Sequence, residues 1–163
     1  MAHVYLSVGS NIERERYICA ALDSLTEKFG ELNISPVYES EAVGFSGDNF
    51  LNLVVAFDTE LTVGQLSLLL REIEMANGRV RGQQKFSART LDIDILTYGD
   101  AVGIIDDIAL PRDEITERGF VIIPLADIAP DEILPGSETT YGQLAAGFDP
   151  VEHGLWVVEL DWP

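Results

Sequence analysis

LDIDILTYG, residues 91–99, is the stretch that decides how this chain folds. Polar and apolar side chains alternate through it, and a strand sends successive side chains to opposite faces of its sheet. Asp92 and Asp94 therefore share one face, and the stretch reads as the fourth strand of the chain, with a turn at Gly99-Asp100. Upstream, Leu66, Leu69, Leu70 and Ile73 predict a helix that Thr62 caps, that runs to about Ala76 and that Asn77-Gly78 ends. FLNLVVAFDT (50–59) is apolar enough to be a central strand, and NISPVYES (33–40) is a strand in which Pro36 marks an edge or a bulge. HVYLSVG (3–9) is the first strand. Gly9-Ser10-Asn11 is expected to break it and to cap a helix over 12–29, which Gly30 stops. The order β-α-β-β-α-β predicts an α+β, ferredoxin-like split βαβ sandwich, an antiparallel sheet with helices packed on it.

Downstream of Asp100, AVGIIDDIAL (101–110) is expected to return beside the fourth strand as its hairpin partner. Residues 115–130 read as helical in parts, broken near Pro124 and Pro130. A short helix is expected over 139–147, and LWVVEL (155–160) forms a last strand. No internal repeat or low-complexity segment is present, and residues 1–163 are read as a single catalytic domain.

A hydrophobic content of 47% with 23% charged residues is ordinary for a soluble globular enzyme. No apolar run approaches the roughly 18 residues of a membrane span, and the N-terminus lacks a signal-peptide pattern. A cytoplasmic location without membrane attachment is the expectation. Cys19, the only cysteine, can form no internal disulfide and is read as a packing residue. The formal net charge of -18 argues against a nucleic-acid partner. Seven of the ten Lys and Arg residues nevertheless lie between positions 71 and 118. An acidic chain that gathers its cations in one segment has built a local anion site.

GRVRGQQKFSARTLDID (78–94) places Arg79, Arg81, Lys85 and Arg89 just before the two aspartates. Two carboxylates side by side repel each other unless a cation lies between them. They are hard oxygen ligands suited to Mg²⁺, and two ions sharing the pair would clamp a polyphosphate. Guanidinium forks bind phosphate oxygens bidentately, and phosphoryl transfer is largely positioning and charge neutralisation. Gly78 and Gly82 give the basic stretch the freedom of a lid. No P-loop pattern occurs, which excludes a Walker-type site. Phe50 and Asn52 share a strand face, and an amide suits a heterocycle with an amide-like edge. Phe86 and Phe120 offer faces for stacking on a flat ring. His3 and His153 stand alone, and no Ser-His-Asp or Cys-His grouping is present. The aspartate pair by itself also fits a capped turn with an ion pair, or a sugar-nucleotide transferase. A non-catalytic ferredoxin-like module is the alternative outside enzymes.

YLSVGSN, FLNLVVAF, and above all GRVR…ARTLDIDIL followed by LP…RGFVIIPL and APD, together resemble the 6-hydroxymethyl-7,8-dihydropterin pyrophosphokinase family over roughly residues 3–130. The resemblance implies transfer of the terminal diphosphate of ATP to a pterin alcohol in folate biosynthesis, with AMP released. It implies two Mg²⁺ ions on Asp92 and Asp94, and Arg79, Arg89 and Asp94 as catalytic residues. It further implies a pterin pocket of Ser40, Ala42, Val43, Phe50, Asn52, Phe86 and Phe120. ATP contacts are implied for Arg71, Glu74, Arg79, Arg81, Arg89, Ile95, Arg112 and Arg118. Arg112-Asp113 stands where a His-Tyr or similar pair is typical of the family. The partners implied are the two small-molecule substrates, and a monomer is expected.

Overall fold

The computed structural model describes residues 1–41, 48–78 and 90–163. The chain opens with β1 (Ala2–Ser10) and α1 (Arg14–Phe29), followed by β2 (Asn33–Ile34), β3 (Val37–Ser40) and β4 (Phe50–Thr59). Next come α2 (Val63–Ala76), β5 (Asp92–Tyr98) and a small hairpin of β6 (Gly103–Ile105) and β7 (Ile108–Leu110). The remainder is α3 (Glu114–Glu117), α4 (Gly119–Ile128), α5 (Tyr141–Ala145) and β8 (Leu155–Val158). The main sheet runs β5-β1-β4-β3-β8, with β2 also on β4, and every pairing is antiparallel. Taking β2 and β3 as one interrupted strand, this is the expected ferredoxin-like order, with β8 added at the far edge.

The interruption follows from chemistry at Ser35-Pro36. Proline has no N–H for a ladder. Ser35 compensates by donating its own N–H to the Val54 carbonyl, while its hydroxyl oxygen accepts the Val54 N–H at 2.8 Å. The predicted cap of α2 is present as a reciprocal box between Thr62 and Gln65, and Asn77-Gly78 ends that helix, with Gly78 at φ 84°. Gly30, at φ 78°, stops α1.

Period-two alternation sorts the sheet into two faces. Val4, Leu6, Val8, Leu53, Val55, Ile93 and Ile95 pack under α1 and α2 in the larger core cluster. Tyr5, Val54, Ala56 and Leu96 face the other way and are covered by Ile115, Val121, Ile122 and Leu125 of α3 and α4. The covering helices meet the end of that face where β1 begins. Ser7, Gly9, Asn52, Asp92 and Asp94 follow on the same face toward the other end.

Four expectations are corrected. Gly9 and Ser10 remain in β1, and α1 starts only at Arg14, with Glu13 at φ 42° in the cap position and no side-chain cap. Asn11 instead donates its amide to the Asp48 carbonyl at 3.1 Å. Segment 101–110 forms its own hairpin, β6–β7, rather than pairing in the main sheet. Its turn residues Asp106 and Asp107 both have positive φ, the geometry that suits a two-residue hairpin loop. Pro124 lies inside α4 instead of breaking it. Burial of Val121, Ile122 and Leu125, worth about 1.5–3 kcal/mol each, outweighs one missing helical hydrogen bond.

Candidate active site

β5 is an edge strand, and its open side is where the candidate site is built. Asp94 lies opposite Ser7, and Asp92 opposite Gly9. Gly9 in turn lies opposite Asn52. The row Asp92–Gly9–Asn52 thus crosses three strands on one face. A Cβ on Gly9 would stand 2.7 Å from Asn52 Oδ1, so the glycine leaves the space in which that amide lies. The amide Nδ2 donates to the Ser40 hydroxyl at 2.9 Å, which fixes its direction. Ser40 is buried, and Phe50, its register partner, is half-buried. Phe120, on α4, is partly buried against the helix-covered face.

On the outer side of β5, Glu74 of α2 accepts the Ile93 N–H at 2.8 Å. Glu74 lines a cleft of about 260 Å³ with Ser67, Leu70, Arg71, Asp92, Ile93, Asp94, Ile95, Ile108 and Arg112. Arg112 reaches it because its backbone N–H donates to the Leu96 carbonyl at 2.9 Å. Leu96 is the extra residue of a β-bulge, since Tyr5 pairs with Thr97 while Leu6 pairs with Ile95. The Arg112 guanidinium donates from Nε to Glu114 Oε1 at 2.8 Å, and its Nη2 is 3.6 Å from Asp94 Oδ2. Burial, then repulsion from Asp92, push the Asp94 carboxyl up to about 8, against the pull of Arg112. Burial opposes the Arg112 charge, yet Asp94 and Glu114 more than offset it and raise its pKa.

Asp92, Asp94, Arg71, Glu74, Ile95 and Arg112 therefore line one cleft. Ser40, Phe50 and Asn52 cluster across the sheet on the aspartate face. Arg118 does not line the cleft; it sits between α3 and α4, where its carbonyl accepts the Val121 and Ile122 N–H groups. Ala42, Val43, Arg79, Arg81, Phe86 and Arg89 lie outside the described residues. Ser67, Ile108, Glu114 and Gly9 escape sequence reasoning. Only Gly9 carries a signal, because a glycine inside an alternating strand marks a close approach.

Two acidic oxygen donors on a strand, with an arginine and a glutamate beside them, fit magnesium. That ion takes few protein ligands and completes its shell from water and phosphate. Among the described residues no third His, Cys, Asp or Glu completes a larger metal cluster. No helix among them is long and apolar enough to cross a membrane.

Carboxylates and guanidinium groups gathered in one cleft of an α+β fold are the chemistry that phosphoryl-transfer enzymes use. The family described as 7,8-dihydro-6-hydroxymethylpterin-pyrophosphokinase (HPPK) matches residues 5–130. The chain is 39% identical over 137 residues to a 2-amino-4-hydroxy-6-hydroxymethyldihydropteridine pyrophosphokinase of Aquifex aeolicus, covering 83% of this chain and 85% of that one. It is 38% identical over 148 residues to the Pseudomonas aeruginosa protein of the same name, covering 88% and 90%. Among solved structures, wild-type Plasmodium falciparum HPPK-DHPS with pterin and p-hydroxybenzoate superposes with a TM-score of 0.70 at 14% identity. That match covers 89% of this chain but only 42% of the solved one, and it speaks to the fold alone. The chain belongs to the 7,8-dihydro-6-hydroxymethylpterin-pyrophosphokinase family.

Proposed function

We propose that residues 1–163 form one catalytic domain that moves the terminal diphosphate of ATP onto the hydroxyl of 6-hydroxymethyl-7,8-dihydropterin, releasing AMP. The observation that carries the reading is the single floor formed by Asp92 and Asp94 on β5 and Asn52 on β4, joined across Gly9 of β1, with Arg112 and Arg71 in the cleft beside it. Asp92 and Asp94 are the ligands for two Mg²⁺ ions. When bound, these would neutralise the polyphosphate and polarise the β-phosphorus toward attack.

The pterin ring lies along the Asn52 side of the floor. Asn52 offers its second N–H and its carbonyl oxygen to the amide-like edge of the ring, with Ser40 holding the amide in place. Phe50, Phe120, Ala42, Val43 and Phe86 supply the remaining walls. ATP occupies the outer cleft against Arg71, Glu74, Ile95 and Arg112, with Arg118 assigned a more peripheral contact. Arg79, Arg81 and Arg89 engage the phosphates. The pterin oxygen forms a bond to the β-phosphorus as the bond from that phosphorus to the oxygen shared with the α-phosphorus breaks. The electron pair of the broken bond leaves with AMP, where arginine charge stabilises it. Asp94 takes the hydroxyl proton. The protein works as a monomer in the cytoplasm.

The test is AMP release from ATP that depends on the added pterin and on Mg²⁺. Replacing Asp94 with Ala should abolish turnover while leaving the fold intact by circular dichroism. Wild-type protein that forms no pterin-dependent AMP, or an Asp94→Ala variant with near-normal activity, would overturn the assignment.

A further inference from the structure

Arg112 is held at two points and pulled toward a third. Its backbone hangs from the bulged Leu96 carbonyl at 2.9 Å, and its Nε is fixed to Glu114 at 2.8 Å. Its outer nitrogen stands 3.6 Å from Asp94, too far for a good hydrogen bond but near enough for strong charge attraction. Among the described residues this is the one ion pair that Asp94 makes. Asp94 otherwise faces Asp92, Glu114 and Glu74, all of which oppose its charge. A guanidinium stays charged under all ordinary conditions, so it competes for Asp94 with any divalent cation that enters. The bond to Glu114 uses Nε, so it leaves the outer nitrogens of Arg112, which lines the cleft, for an anion, and guanidinium N–H groups suit phosphate oxygens.

We propose that Arg112 is a fixed positive charge beside Asp94 that couples divalent-cation binding to nucleotide binding. The inference rests on the reading of Asp94 as a metal ligand and of the cleft as the ATP site. With cation alone, Arg112 stays close to Asp94 and disfavours the incoming charge. With nucleotide present, the phosphates receive the guanidinium, and the repulsion becomes a shared attraction for one anion. Such coupling is reciprocal: the factor by which nucleotide tightens the cation is the factor by which the cation tightens nucleotide. Arg112 is thus a phosphate-contacting residue whose charge makes cation and nucleotide arrive together.

The experiment uses Mn²⁺ as the probe, with its binding to the full chain followed by electron paramagnetic resonance. Titrations are run with and without a non-hydrolysable ATP analogue. Arg112→Gln should bind Mn²⁺ alone about tenfold tighter than wild type, because a like charge 3.6 Å from the Asp94 carboxylate has been removed. The tightening of Mn²⁺ by the analogue should shrink by a similar factor. Glu114→Gln retains Arg112 but releases its second anchor. It should weaken Mn²⁺ binding, and by more than the same change does in the Arg112→Gln background. Arg112→Gln that binds Mn²⁺ alone no tighter than wild type, or that keeps the full effect of the analogue, overturns the proposal and leaves Arg112 as a plain phosphate ligand. Asp94→Asn that binds Mn²⁺ like wild type overturns the metal-site reading itself, and this inference with it.

Discussion

Replacing Gly9 with Ala tests the construction of the site floor without touching a charged group. The new Cβ would lie 2.7 Å from Asn52 Oδ1, where ordinary contact begins near 3.4 Å. The amide must therefore yield by several tenths of an ångström, against its hydrogen bond to Ser40 at 2.9 Å. Weakening that bond costs about 1 kcal/mol, and an off-rotamer side chain costs about 0.5–1.5 kcal/mol. Alanine in a strand recovers about 0.5–1 kcal/mol by restricting the unfolded chain. The net expectation is a loss of about 1 kcal/mol in urea unfolding, together with roughly tenfold weaker pterin binding, since 1.4 kcal/mol is a factor of ten. The sign should reverse when Asn52 is first changed to Ala. With the amide gone, Gly9→Ala should stabilise by about 0.5–1 kcal/mol. Pterin binding followed by ligand fluorescence, and urea midpoints for all four members of the cycle, read both effects. Additive effects across the cycle would refute the reasoning, because they would mean that Gly9 and Asn52 do not share the space.

Two further outcomes follow from the same geometry. In the folded, cation-free protein the Asp94 carboxyl titrates near 8 rather than at its ordinary 3.8, so between those values the folded state holds a proton that the unfolded state has lost. Stability from this group is therefore full at low pH and is lost as pH rises through about 8; melting curves without divalent cation should show that decline, and both Asp94→Asn and added Mg²⁺ should flatten it. Ser35→Ala should leave the buried Val54 N–H without its partner, costing about 1–3 kcal/mol in urea unfolding while leaving Mn²⁺ binding unchanged.

The sheet was legible in the sequence wherever alternation is local. The two faces of β1, β4 and β5 follow from side-chain period alone, and so does the shared orientation of Asp92 and Asp94. The Thr62 cap and the Gly30 and Asn77-Gly78 stops are local chemistry as well. What depended on distant contacts was not legible. Pro124 argues for a break in isolation, but burial of its neighbours carries α4 through it. Gly9 looks like a strand end until Asn52 is placed over it. Glu114 is one of 28 acidic residues, and only the tertiary fold shows that it grips Arg112. The candidate metal ligands could be read because one strand supplies both. The cleft that they share with Arg71, Glu74 and Arg112 needed β5 to be an edge.

The bulge at Leu96 makes β5 two strands in series with independent phase. On one side of it the alternation is set by the demands of chemistry, and on the other by Tyr98 and the core. Deleting Leu96 would leave Val4–Tyr98, Tyr5–Thr97 and Leu6–Ile95 as an unbroken ladder, with both aspartates still facing the same way. Such a deletion would preserve the sheet and its carboxylates while removing the carbonyl from which Arg112 hangs. The extra residue is thus an outrigger: it lets a strand of the sheet carry one group from outside the sheet, at a position that no regular ladder offers.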